Sequence, residues 1–325
     1  MEPISRIDPI ANQLFFRGIN AKELCKSYDF ESITHLLLYG HMPLDTEHEI
    51  LCQKLVDFRK YYSEEMNTFE RLISKLEQIS VELEFNLQDF LLAFIALVPL
   101  VVAKQHCEFH HKTLQEADSE LNHIANFLWM TRGERAEYDD IRNFKIALIL
   151  HMDDPDNPSL TTLHSLIKSG ESVSKALLST FQVHLGPLHH GAGTEAMNML
   201  EDIRKSGEVH NFLQRRLEKG EKIYGLGHRI YRGMDPRAIV LREVLERRIV
   251  DTESKWIIDV IDRVSSEGNA LLKEFKKIEA YPNVDLYNAA VYCTFGYHQS
   301  LNTGLFAVSR SVGWAAHILE WLSGY

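Results

Sequence analysis

Phe90-Leu91-Leu92-Ala93-Phe94-Ile95-Ala96-Leu97-Val98-Pro99-Leu100-Val101-Val102-Ala103 is the longest apolar run in the chain. As a helix it would rise only about 21 Å, short of the ~30 Å hydrocarbon core of a bilayer, and it carries a proline. It reads as a helix buried inside a protein. Working outward, the same helical period recurs at Ile33, Leu36, Leu37 before Gly40, at Leu72, Ile73, Leu76, Ile79, and at Leu305, Val308, Val312, Ala315, Leu319. Breakers punctuate these runs at Gly40–Pro43, Asp153–Pro158, Gly186-Pro187, Gly225–Gly227, Asp235-Pro236 and Tyr281-Pro282. Only Ile7–Gly18 alternates, which predicts a small β hairpin. With no βαβ alternation and no repeat, the expected fold class is all-α with short loops.

The 325 residues, 45% apolar and 25% charged, suffice for a large core and about two domains. A formal net charge of -11 argues against nucleic acid or an anionic membrane as the main partner, since both repel an acidic protein. Cys25, Cys52, Cys107 and Cys293 are scattered without a C-x-x-C pair, and Met1-Glu2-Pro3 does not open like a signal peptide. The expectation is a cytoplasmic protein with reduced thiols.

Three loops combine a breaker with an ionisable group: Gly186–Gly193 with His189 and His190, Gly225–Arg229 with His228, and Pro282–Asp285. Each precedes a helical run, where unpaired backbone N–H groups favour a neutral imidazole, an ionised carboxylate or a bound anion. Two histidines and a carboxylate can abstract a proton beside a carbonyl and stabilise the enol that forms. Arg237 and Arg310 could hold an acidic co-substrate, because a forked guanidinium suits a carboxylate. From spacing alone this is one of many possible constellations.

The wording of the loops carries more. Gly186-Pro187-Leu188-His189, Gly225-Leu226-Gly227-His228-Arg229-Ile230-Tyr231-Arg232-Gly233-Met234-Asp235-Pro236-Arg237 and Tyr281-Pro282-Asn283-Val284-Asp285 resemble, in order and separation, the three signature segments of citrate synthases. Leu14–Gly18, His35–Gly40 and Leu305–Glu320 extend the resemblance over nearly the whole chain. It implies a large helical domain, residues 1–185 and 287–325, and a small one, 186–286, that binds CoA and closes over the substrates to exclude water. It also implies a homodimer, in which the apolar helices near Phe90 and Leu188 would bury themselves. The implied reaction condenses acetyl-CoA with oxaloacetate and then hydrolyses the thioester, using no metal and no permanently bound cofactor.

Residue by residue, the resemblance makes Asp285 the base that deprotonates the acetyl methyl. His189 becomes the donor to the enol oxygen, and His228 the acid that binds and protonates the keto carbonyl. Arg237 and Arg310 would bind carboxylates, His151 would belong to the substrate side, and Arg232 would contact a CoA phosphate. Two features depart from the family. Asp154 stands where a histidine contacting oxaloacetate is usual, placing a carboxylate where a dicarboxylate would bind, at a cost on the order of a few kcal/mol in a poorly solvated site. The sequence also stops at Tyr325, where family members continue into an arm bearing a further arginine. His190 replaces a usual glycine and Asn288 a usual serine. Close alternatives keep the mechanism but change the acids, as in 2-methylcitrate synthases; a ligand-sensing dimer of weak activity belongs to another class.

Plainer readings stand beside these. Asp285 suits an N-cap, a role compatible with catalysis. Arg237 could pair with Asp235 or Glu243 on a solvated face, Arg310 could be a buried structural residue, and Arg232 a surface one. The Gly191-x-Gly193 and Gly225-x-Gly227 pairs lack the strand of a nucleotide loop. His106, Cys107, His110 and His111 have a zinc-compatible spacing, yet an ordinary polar helix end is the default. Asp153, Asp154 and Asp156 read as a turn held by Asp side chains rather than a metal loop.

Overall fold

The computed structural model describes residues 2–186, 191–231, 233–250 and 253–323. A three-stranded sheet in the order β1-β2-β3 opens the chain: β1 Ser5–Asp8, β2 Gln13–Phe16 and β3 Ile19–Asn20, with Phe15 opposite Asn20 and Phe16 opposite Ile19. The helices follow: α1 Ala21–Ser27, α2 Phe30–Tyr39, α3 Asp45–Arg59, α4 Phe69–Glu82, α5 Leu87–Phe109, α6 His123–Arg132, α7 Tyr138–Ile149, α8 Pro158–Lys168, α9 Val173–Leu185, α10 Gly191–Ser206, α11 Val209–Glu218, α12 Pro236–Arg248, α13 Trp256–Lys276, α14 Asp285–Cys293 and α15 Asn302–Ser323. The fold is all-α apart from that small sheet.

Caps set many of the boundaries. Asp29, Asn86, Asn122 and Ser172 each accept a backbone N–H in the first turn of α2, α5, α6 and α9. Gly40 ends α2 in the left-handed region at φ 82°, where a residue without Cβ is favoured.

The chain divides into two compact units, one of residues 1–6, 15–186 and 303–325, the other of 7–14 and 187–302. The sequence expectation returned the chain to the first unit at 287. Residues 287–302 instead group with the second, because α14 packs on α10 and α12. In the first unit α5 lies against α3, α4 and α6, and every residue from Phe90 to Ala103 is buried. At 23 residues α5 is longer than its apolar run and by length and composition alone could cross a membrane, but it is a core helix. The run from Phe90 to Ala103 is thus buried within the chain itself, so its burial does not depend on the partner subunit that the resemblance implied. Leu188 lies outside the described residues.

Candidate active site

In the second unit, two loops are laced together. Gly227 N donates to Tyr281 O at 2.7 Å, Asn283 N to Gly225 O at 2.9 Å, and Asn283 Nδ2 to Gly227 O at 2.7 Å, while Leu226 and Pro282 form an isolated antiparallel bridge. The lacing needs close approach: a Cβ on Gly225, which sits at φ 81°, would fall 2.6 Å from Leu286 Cβ. One loop carries His228 and the other leads directly to Asp285.

His228 Nδ1 accepts the backbone N–H groups of Ile230 at 3.1 Å and Tyr231 at 3.2 Å. With the Nδ1 lone pair engaged, the proton of the neutral ring resides on Nε2, which is then a donor. These N–H groups come from the loop itself, since α12 begins only at Pro236; the anticipated effect on the imidazole has a different source. Asp285 opens α14 but does not cap it. The N-cap residue is Val284, and Asn283 Oδ1 accepts the Asp285 N–H at 2.9 Å, so the carboxylate is not spent on capping. Burial lifts the Asp285 carboxyl to about 6; nearby Arg237 pulls it down and Asp235 adds to the rise.

Arg237 does pair with Asp235, but on a buried face rather than a solvated one. Nε donates to Oδ1 at 3.1 Å and Nη2 to Oδ2 at 2.8 Å, and the guanidinium stands 5.8 Å from the centroid of the Tyr231 ring. Asp235 also caps α12 through the Arg237 N–H. Burial alone would raise the Asp235 carboxyl, but the charge and hydrogen bonds of Arg237 and the His228 ring hold it below the ordinary range. A cavity of about 360 Å³ in this unit is lined by Lys222, Gly227, His228, Tyr231, Lys276 and Tyr281, among others. His189 and Arg232, both singled out in the sequence, lie outside the described residues, as does His190.

In the first unit, α15 is tied to the end of α7. Ser309 Oγ donates to Leu148 O, and Arg310 Nε donates to His151 O at 2.9 Å. A Cβ on Gly313 would collide with the Met152 carbonyl, so glycine permits this approach. Both His151 and Arg310 are buried. His151 Nδ1 donates to Ala147 O at 2.6 Å, which turns Nε2 into the acceptor of the neutral ring. Asp153, fully buried, accepts from Ser5 Oγ at 2.5 Å and His317 Nε2 at 3.0 Å. Burial would raise its carboxyl, but His317, Arg310 and Ser5 together keep it low.

The cavity residues Lys222 and Lys276 have no functional role in the sequence analysis, and neither do the carboxylates Asp153 and Asp235. The signal of the two carboxylates was a position within two residues of an expected ligand-binding side chain, on its own too common to separate from a turn. Asp154, partly exposed, accepts the Asp156 N–H at 3.2 Å, the local turn expected there. The rings of His106 and His110 stand 4.6 Å apart at the end of α5.

Comparison with known proteins covers the whole chain. The family model described as "Citrate synthase, C-terminal domain" matches residues 2–324. Citrate synthase 2 of Bacillus subtilis strain 168 is 33% identical over 96% of this chain and 87% of its own length. The 2-methylcitrate synthase of Shewanella oneidensis is 26% identical over 98% and 87%. The crystal structure of citrate synthase from Thermotoga maritima superposes with a TM-score of 0.82 at 29% identity, covering 99% of this chain and 89% of that one. Laced loops around His228 and Asp285, a buried Asp235–Arg237 pair and an end-to-end family match leave one placement: this chain belongs to the citrate synthase family.

Proposed function

We propose that this chain condenses acetyl-CoA with oxaloacetate to citryl-CoA, whose thioester is then hydrolysed. In sum, acetyl-CoA, oxaloacetate and water give citrate and CoA. The observation that carries the reading is the Asp285 carboxyl near 6, in the same unit as an imidazole whose Nδ1 is occupied by two backbone N–H groups. A carboxylate of that basicity is ionised at neutral pH and a stronger base than an ordinary aspartate. Asp285 takes a proton from the acetyl methyl, and His189 donates to the enol oxygen. As the enol carbon attacks the ketone, His228 Nε2–H donates to the carbonyl oxygen and protonates the alkoxide.

Arg237, Arg310 and His151 take the keto acid's carboxylates, and Arg232 with Lys222 and Lys276 the CoA phosphates. Acetyl-CoA enters as co-substrate, with no resident cofactor. A homodimer in the cytoplasm is proposed with this reading, following the family resemblance. The test is release of free thiol from acetyl-CoA, with and without oxaloacetate, by the wild type and Asp285→Ala. Oxaloacetate-dependent release that disappears in the variant supports the proposal; none from the wild type overturns oxaloacetate as substrate.

Asp154 favours a second reading with the same mechanism and a different acid pair, such as propionyl-CoA or a 2-oxo acid with fewer negative charges. Comparing kcat/KM across acyl-CoAs and 2-oxo acids separates the two.

A further inference from the structure

Among the described residues, one group of three side chains places metal-ligand atoms within 4.8 Å of one another: His35, His41 and Glu47. None takes part in the condensation proposed above. Their sequence spacing, six and six, straddles the Gly40 turn between α2 and α3 and matches no familiar ligand motif.

Two of the three side chains are already held in place. His35 sits buried in the last turns of α2, and its Nδ1 donates to the His41 carbonyl at 3.1 Å. That bond fixes the tautomer and presents the Nε2 lone pair, 4.0 Å from Glu47 Oε2; a backbone carbonyl on the far nitrogen is the usual outer support of a metal-bound imidazole. The exposed His41 ring stands edge-on to His35 at 5.0 Å; its Nδ1 donates to the Met42 carbonyl at 3.0 Å and lies 3.9 Å from the same carboxylate oxygen, so the ring must turn away from Met42 to offer a lone pair. Glu47 is held in turn by the Leu44 N–H at 2.8 Å.

Donors on a tetrahedral Zn²⁺ lie about 3.4 Å apart, given metal–ligand bonds of about 2.0–2.1 Å. The two measured separations must therefore close by about half an ångström, a movement shared by the exposed His41 ring and the partly exposed Glu47 carboxylate. All three residues line a cavity of about 400 Å³, which leaves room for a water as fourth ligand. The cavity's cations do not oppose an incoming ion, because Arg17 is paired with Glu320 and Lys54 with Asp89, each at 2.7 Å.

We propose that His35, His41 and Glu47 bind a divalent transition ion of the Zn²⁺ type, clipping the end of α2 to the first turn of α3. Two imidazoles and one carboxylate form a borderline set that selects Zn²⁺ or Co²⁺ over Mg²⁺ or Ca²⁺.

The experiment is equilibrium dialysis of the full chain, stripped with chelator, against Zn²⁺ and separately Mg²⁺, with thermal unfolding followed in parallel. The wild type should take up one Zn²⁺ and unfold at a higher temperature with it. His41→Ala, at an exposed position, and Glu47→Gln, which keeps an acceptor for Leu44 N–H, should each weaken binding at least ten-fold while folding normally. Zn²⁺ uptake unchanged in both variants, no uptake by the wild type, or loss of uptake on His110→Ala instead would overturn the site.

Discussion

Arg237 grips Asp235 at two points, Nε on Oδ1 at 3.1 Å and Nη2 on Oδ2 at 2.8 Å, with both side chains buried. Breaking such a pair from one side strands the other charge, at a cost of about 3–5 kcal/mol. Asp235→Asn should therefore lower the unfolding free energy by about that much in denaturant titration at pH 7. The Asp235 pKa is depressed in the folded chain, so the stability it confers is present above the unfolded carboxylate pKa and lost as pH falls through the lower folded value. The gap between wild type and variant should shrink in acid.

Asp285 runs the opposite way. Its carboxyl, lifted to about 6, must be ionised to accept a proton, so kcat/KM for the acyl-CoA should fall about ten-fold per pH unit well below 6 and level off above it. Folding shows the reverse sign. A raised carboxyl favours the folded chain fully only below its unfolded value near 3.8, and that advantage is lost as pH rises through about 6. Asp285→Asn should abolish turnover yet stabilise the fold at pH 7 to 8, by at most about 3 kcal/mol. An inactive variant that is also less stable would argue that Asp285 is structural.

His228 can be split into its two nitrogens. Asparagine places Oδ1 where Nδ1 accepts from Ile230 and Tyr231, but offers nothing at the position of Nε2. His228→Asn should keep the wild-type melting temperature while kcat drops on the order of 10²–10⁴-fold. A variant that melts early would show that the loop depends on more of the ring than its acceptor nitrogen.

These tests draw on features of unequal legibility in the sequence. The helices were readable because apolar period and breakers agree, as where Leu36 and Leu37 run into the Gly40 cap. The second unit's boundary was not, since whether α14 packs on α10 and α12 is decided by long-range contacts that no local pattern encodes. The motif wording named His228 and Asp285, but which nitrogen of His228 holds the proton depends on two loop N–H groups, of Ile230 and Tyr231, that only the folded loop brings to it. Asp285 reads as a cap by residue type, yet Val284 holds the N-cap position and Asn283 Oδ1 accepts the Asp285 N–H. The His35, His41 and Glu47 group was invisible because a helix end, a turn and a helix start must fold before its donors meet.

Asp154 holds the question of substrate. Its Oδ1 accepts the Asp156 N–H, so a replacement must keep that acceptor to test charge alone. Asp154→Asn does so, since the amide oxygen caps the same turn while the negative charge disappears. If the carboxylate opposes a dicarboxylate substrate, its removal should raise kcat/KM for oxaloacetate about ten-fold, the effect of roughly 1.4 kcal/mol of relieved repulsion, and leave a less charged 2-oxo acid nearly unaffected. The contrast between the two acids is the readout. An equal change for both would mean that the turn, and not its charge, matters, whereas a loss confined to the less charged acid would assign Asp154 to a substrate group that donates a hydrogen bond to it.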